Sequence, residues 1–126
     1  MKGDLIRKTD TDTNQGDSKM GIETVTFQSE GQKISGILHV PDVWSRACVI
    51  ASHGLLSSKD SEKYIALGER LSREGFGMLR FDFRGVGESE GRIADDTVSR
   101  RIVDLGSAID FVKSRPGLGN RIGLVG

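Results

Sequence analysis

Two short segments of this chain hold residues whose types and spacing suit acyl-transfer chemistry. His53-Gly54-Leu55-Leu56 follows the unbroken apolar run Ala47-Cys48-Val49-Ile50-Ala51. Acyl transfer develops negative charge on an oxygen in its transition state, and backbone N–H groups held on a loop at the end of a rigid strand stabilise that charge. Leu55 is expected to present such an N–H, with Gly54 letting the backbone turn without a Cβ clash. The second segment, Gly87-Glu88-Ser89-Glu90-Gly91, is a literal G-x-S-x-G, the pattern that exposes a nucleophilic serine on a sharp turn between a strand and a helix. Its surroundings disagree with that role. The next apolar helical stripe begins only at Val98, and Glu88 and Glu90 would oppose the oxyanion such a serine must sustain. Ser89 is therefore expected to be structural. A third segment, Ile122-Gly123-Leu124-Val125-Gly126, reads as a buried strand running into the first glycine of a nucleophile elbow, with Gly126 in that place.

Other chemistries fit less well. Gly85-Val86-Gly87 after a strand suggests a dinucleotide loop, but the third glycine, Gly91, comes one residue late for G-x-G-x-x-G, and the two glutamates would repel a pyrophosphate. No Gly-Lys-Ser/Thr supplies a phosphate loop, and His39, His53 and Cys48 are too few for a metal site, so neither a cofactor nor a metal is expected. Asp95-Asp96 is better placed as the acidic start of a helix than as an acid/base pair. Eighteen Lys and Arg balance eighteen Asp and Glu, which gives no basic excess to recruit nucleic acid or anionic lipid. Cys48 is the sole cysteine, which excludes an internal disulfide and fits a reducing compartment; its apolar neighbours point to an inert core thiol.

The elements that must position these residues can be read from periodicity. Residues 1–20 are mostly polar, with Leu5-Ile6 the only apolar pair, too little for a signal peptide, and no segment approaches the roughly 18 apolar residues of a membrane span. They read as a disordered leader on a cytoplasmic protein, with Met20 a candidate start, and residues 21–126 as the folded part. Val25 and Phe27 alternate with polar residues, Ser29 to Gln32 makes a turn, and Ile34, Leu38 and Val40 resume the two-residue period, predicting a half-exposed antiparallel hairpin. Ala47 to Ala51 then reads as a parallel strand covered on both faces. Tyr64, Leu67, Gly68 and Leu71 predict a helix capped from Ser58, Asp60 or Ser61 and stopped at Gly75. Phe76 to Phe83 reads as another buried strand. After the turn from Arg84 to Gly91, Val98, Ile102, Leu105, Ile109 and Val112 form one apolar stripe, with Asp95, Asp96 and Thr97 at its start and Pro116-Gly117 at its end. Hairpin, strand, helix, strand, helix, strand is an α/β pattern with a parallel sheet and right-handed crossovers.

Three landmarks in this order carry a resemblance: His53-Gly54 after a buried strand, Asp82-x-Arg84-Gly85-x-Gly87-x-Ser89 after the next, and Arg121-Ile122-Gly123-Leu124-Val125-Gly126 at the elbow approach. Residues 22–126 resemble the N-terminal half of the α/β-hydrolase superfamily, most nearly its carboxylesterase, acyl-hydrolase and serine-aminopeptidase-like members. The resemblance implies an oxyanion N–H at Leu55, a loop-fixing rather than proton-transferring role for His53, since the base of such a triad comes last in chain order, and a structural turn at Asp82, Arg84 and Gly87. It implies hydrolysis of an ester, thioester or amide of a small-molecule acyl substrate through an acyl-enzyme, without a cofactor. Serine nucleophile, acid and histidine base are then expected beyond Gly126, so the chain is expected to be a truncated fragment, inactive alone, whose partner is the missing C-terminal half. Its last strand, left with an open apolar edge, is expected to promote self-association. A non-catalytic, partner-binding fragment and, more distantly, a nucleotide-binding α/β module remain as other readings.

Overall fold

The computed structural model describes residues 21–43, 47–118 and 120–126; the expected leader, residues 1–20, lies outside them. Five strands form one mixed sheet: β1 (Gly21–Ser29), β2 (Gln32–Val40), β3 (Ala47–Ser52), β4 (Gly77–Phe81) and β5 (Arg121–Val125), with helices α1 (Glu62–Arg73) and α2 (Val98–Ser114) and a single 3-10 turn at Ile93–Asp95. The spatial order is β1-β2-β4-β3-β5. β1, β2 and β4 pair antiparallel, whereas β3 runs parallel to both β4 and β5. An antiparallel hairpin followed by parallel strands with crossover helices is the expected α/β arrangement.

The apolar run in β3 is continuous because both its faces are covered. Cys48 and Ile50 face one side with Phe27, Ile34, Leu38, Leu79 and Phe81, against Ala108 and Val112 of α2. Val49 and Ala51 face the other, with Met78, against Tyr64, Leu67 and Leu71 of α1. Phe27 stacks on Phe111 at 5.2 Å and meets Phe81 edge-on at 5.9 Å, tying hairpin, α2 and β4 into one core. Burial pushes the Cys48 thiol up to about 11, in keeping with an inert core residue. α1 ends where Gly75 takes φ +91° and the Phe76 N–H reaches back to the Leu71 carbonyl at 2.9 Å, a glycine stop of the expected kind.

Four expectations need correction. The hairpin is half-exposed only in β1; β2 lies between β1 and β4 and is mostly buried. β4 ends at Phe81, because Asp82 and Phe83 leave the ladder to begin the following turn. The stripe on α2 does not face the core along its length: Val98 and Ile102 are 77% and 67% exposed, the inward positions of its first two turns are Arg101 and Asp104, and apolar packing begins at Leu105. Polar partners make that face possible. Asp104, fully buried, accepts from the Arg84 N–H, the Arg84 guanidinium and the Ser29 hydroxyl at 2.9, 2.8 and 2.7 Å. Hydropathy alone cannot see such a face. Lastly, the apolar run of β5 reads as buried, whereas Leu124 and Val125 are exposed; the strand pairs only with β3 among the described residues, which is the open apolar edge expected of it.

Candidate active site

Because β3, β4 and β5 are parallel, their carboxyl ends emerge on one edge of the sheet, and three segments meet there. Ser52 pairs with Phe81 and Ala51 with Val125, so the residues that follow are His53, Asp82 and Gly126. A Cβ added to Gly126 would lie 3.6 Å from the Ser52 carbonyl oxygen, which places the glycine directly beside the root of the His53 loop. The structure thus brings His53, Gly54, Leu55 and Gly126 to the edge where open α/β sheets bind ligands. A cleft of ≈ 340 Å³ lined by Gly21, Ile22, His39, Glu69, Ser72 and Arg73 lies at the opposite edge, where α1 ends and β4 begins.

The loop after β3 is anchored by its first residue. The buried His53 ring has one nitrogen, Nε2, 3.3 Å from the Phe83 N–H, which must donate to it; Nδ1 therefore carries the proton and donates to the Gly54 carbonyl at 2.8 Å. The His53 carbonyl accepts from Arg101 of α2 at 2.7 Å, and that guanidinium, held by Asp96, lies 4.3 Å over the Phe83 ring. Both ring nitrogens are engaged by backbone, the arrangement of a side chain that fixes a loop. Leu55 is 79% exposed, and among the described residues its N–H has no hydrogen-bond partner. Gly54 does not make the turn as expected. A Cβ there would meet nothing within 4 Å, and the left-handed residue is Leu56, at φ +60°. The bend closes one position later, with the Ser57 N–H on the Gly54 carbonyl at 3.3 Å.

The turn after β4 is built around Asp82, which is fully buried. Its carboxylate accepts from the Lys59 N–H at 2.8 Å and from the Glu88 N–H at 3.0 Å. Gly87, at φ +55°, lies so close that an added Cβ would collide with that carboxylate, so only glycine fits there. The Ser89 hydroxyl donates to the Asp82 carbonyl at 2.6 Å and accepts from the Ser35 N–H at 2.9 Å, stitching the turn to β2. A hydroxyl committed twice to backbone, on a turn that leads to no α-helix before Val98, is not held like a nucleophile.

Lys59 was not anticipated from sequence. It is 2% exposed, and its ammonium contacts Asp82 at 3.0 Å, Glu88 at 2.6 Å and Asp60 at 3.3 Å. Burial alone would lower this amine, but the hydrogen bonds to Glu88 and Asp82, with the charges of Asp82 and Asp60, push it up to about 12. Arg80, on the α1 face of β4, donates to the Lys59 carbonyl at 2.9 Å and to Asp60 at 3.0 Å. A lone lysine in a Ser-rich loop carries no sequence signal of burial. Among the described residues no three His, Cys, Asp or Glu side chains cluster as a metal site would require, and no helix is long and apolar enough to cross a membrane.

Comparison with known proteins gives consistent results. The family described as serine aminopeptidase, S33, matches residues 44–126. The rat mitochondrial palmitoyl-protein thioesterase ABHD10 is 32% identical over 68 residues, covering 54% of this chain and 23% of the relative, and its mouse counterpart is 31% identical over 84 residues, covering 67% and 24%. Among solved structures, the Pyrococcus furiosus esterase Pf2001 superposes with a TM-score of 0.71 at 30% identity, over 83% of this chain and 42% of that one. Est1E of Butyrivibrio proteoclasticus, solved with ferulic acid bound, superposes with a TM-score of 0.74 at 24% identity, over 81% and 41%. The chain spans about a quarter of the length of the curated relatives it matches and about two fifths of these solved chains.

Proposed function

We propose that this chain, which belongs to the serine aminopeptidase family of α/β-hydrolases, contributes the oxyanion side of a site that cleaves esters or thioesters of small acyl substrates. The observation that carries the reading is Leu55: an exposed residue whose N–H has no partner among the described residues, it stands on a loop whose root is fixed by His53, beside Gly126 at the carboxyl edge of the sheet. A preorganised donor of this kind stabilises a tetrahedral oxyanion with no reorganisation during reaction. His53 and Gly54 support the loop, and Gly126 stands where the elbow begins. Thioester cleavage is favoured alongside ester cleavage because the curated relatives are named as thioesterases and a solved neighbour as an esterase.

The described residues offer no serine and base held together, so a nucleophile, its base and an acid must come from a further part of the fold, in the same or a second polypeptide. We place that part across the free edge of β5, where Leu124 and Val125 are exposed; in its absence a second copy of this chain would pair there. The test is hydrolysis of a short-chain aryl ester and an acyl thioester by the purified 126-residue chain and its Ser89→Ala variant. No turnover by either is expected. Turnover abolished by Ser89→Ala would overturn the reading and make Ser89 the nucleophile.

A further inference from the structure

The loop that carries Leu55 stands on two feet, and both rest on consecutive residues of the β4 turn. At its start the His53 ring accepts from the Phe83 N–H at 3.3 Å. At its end Lys59 grips Asp82 twice, through its own N–H to Oδ1 at 2.8 Å and through its ammonium to Oδ2 at 3.0 Å, while its carbonyl receives Arg80 at 2.9 Å. Between the feet Leu55 and Leu56 are exposed, and the internal Ser57 to Gly54 backbone bond, 3.3 Å, is long. The shape of the segment is therefore imposed from outside.

We infer that Lys59 is the positioning residue of this loop: by joining it to Asp82 and Glu88, it holds the Leu55 N–H at a fixed place relative to the ends of β3 and β5. The inference rests on the reading of Leu55 as the oxyanion donor and says what keeps that donor still. His53 fixes only the start of the loop, and among the described residues no side chain between the two feet ties it to the β4 turn. The Ser58 hydroxyl accepts only from the Asp60 N–H at 3.1 Å, a bond within the loop, and Asp60, exposed, reaches β4 only through Arg80. A buried ammonium among three carboxylates is also directional in a way that an apolar contact is not, because each of its donors must keep its acceptor. The Asp82 carboxylate transmits the constraint: it holds the Glu88 N–H at 3.0 Å, so the loop and the β4 turn move as one body.

The experiment is ¹⁵N relaxation and amide exchange on the whole chain, comparing it with Lys59→Met, which keeps the length and removes the charge, and with Lys59→Arg. In the unaltered chain, order parameters at Leu55 to Ser58 are expected near the rigid-backbone level of about 0.85. In Lys59→Met they are expected to fall below about 0.6, with faster exchange at Lys59 and Glu88 and no change in β3 and β4; Lys59→Arg is expected to restore order. Should Lys59→Met not fold, the double variant Lys59→Met/Asp82→Asn removes both charges and is expected to fold with the same loosened loop. A loop that stays rigid in either folded variant, or a loss of order spread evenly over the sheet, overturns the inference. Because loop order is read without substrate, such a result would leave the role of Leu55 standing, whereas failure of that role would show only in turnover.

Discussion

Replacing Asp104 by alanine tests whether the polar face of α2 is a structural joint. Asp104 is fully buried and receives the Arg84 N–H at 2.9 Å, the Arg84 guanidinium through Nη2 at 2.8 Å and Nε at 3.1 Å, and the Ser29 hydroxyl at 2.7 Å. Removing one member of a buried ion pair leaves the other desolvated and uncompensated, at a cost of about 3–5 kcal/mol. Arg84 retains the Ser29 hydroxyl at 3.5 Å and one carboxylate, Glu30, 2.9 Å away but with its side chain 56% exposed, so solvent screens that replacement and the cost should not fall far below this range. A domain of this size has about 5–15 kcal/mol in total, so Asp104→Ala would remove a large share of it. Urea unfolding followed by far-UV circular dichroism should show the midpoint lowered by about 2 M for a typical slope. The double variant Arg84→Met/Asp104→Asn removes both charges while the asparagine oxygen can still accept from the Arg84-position N–H or from Ser29. It is expected to lie within about 2 kcal/mol of the unaltered chain. A cost below about 1 kcal/mol for Asp104→Ala, or a double variant no more stable than that single one, would refute the reasoning.

Gly87→Ala forces a Cβ into the Asp82 carboxylate at a left-handed φ and is expected to cost about 2–3 kcal/mol in thermal unfolding. Gly106→Ala, where a Cβ on α2 meets nothing within 4 Å, should instead stabilise by about 0.5–1 kcal/mol. His39, lowered to about 4 by burial and then by Arg80, should make stability pH-dependent. The unfolded chain binds a proton near 6.5 that the folded chain refuses until about 4, so this contribution is complete above pH 6.5 and is lost as pH falls toward 4. The loss is on the order of 3 kcal/mol at most; His39→Gln should flatten it in unfolding measured at pH 7 and pH 4.5, and an unchanged slope would contradict it.

The order of elements was legible because each segment carries its own period: alternation in β1, a continuous apolar run in β3, and an i, i+3, i+4, i+7 pattern in α1. The meeting of His53 and Gly126 was legible too, since parallel strands deliver their carboxyl ends to one edge. What escaped was everything decided by pairing across the fold. Val98 and Ile102 look like core and are exposed, whereas Arg101 and Asp104 look like surface and face inward, because Arg84, Ser29, Asp96 and the His53 carbonyl wait for them. Lys59 was invisible for the same reason, as its burial depends on Asp82, 23 residues away in sequence but in direct contact just beyond the end of β4. The strained position in the loop was assigned to Gly54 on the general preference of glycine, yet Leu56 adopts it.

The most direct test of the central claim, that Leu55 supplies an oxyanion donor, is the turnover of a chimera in which residues 21–126 replace the matching segment of the Pyrococcus furiosus esterase. Leu55→Pro deletes the N–H and Leu55→Ala keeps it. In a chimera that hydrolyses an aryl ester, Leu55→Pro is expected to lower kcat by about 100- to 1000-fold with KM little changed, while Leu55→Ala stays close to the unaltered chimera. A kcat that survives the proline substitution would contradict the account.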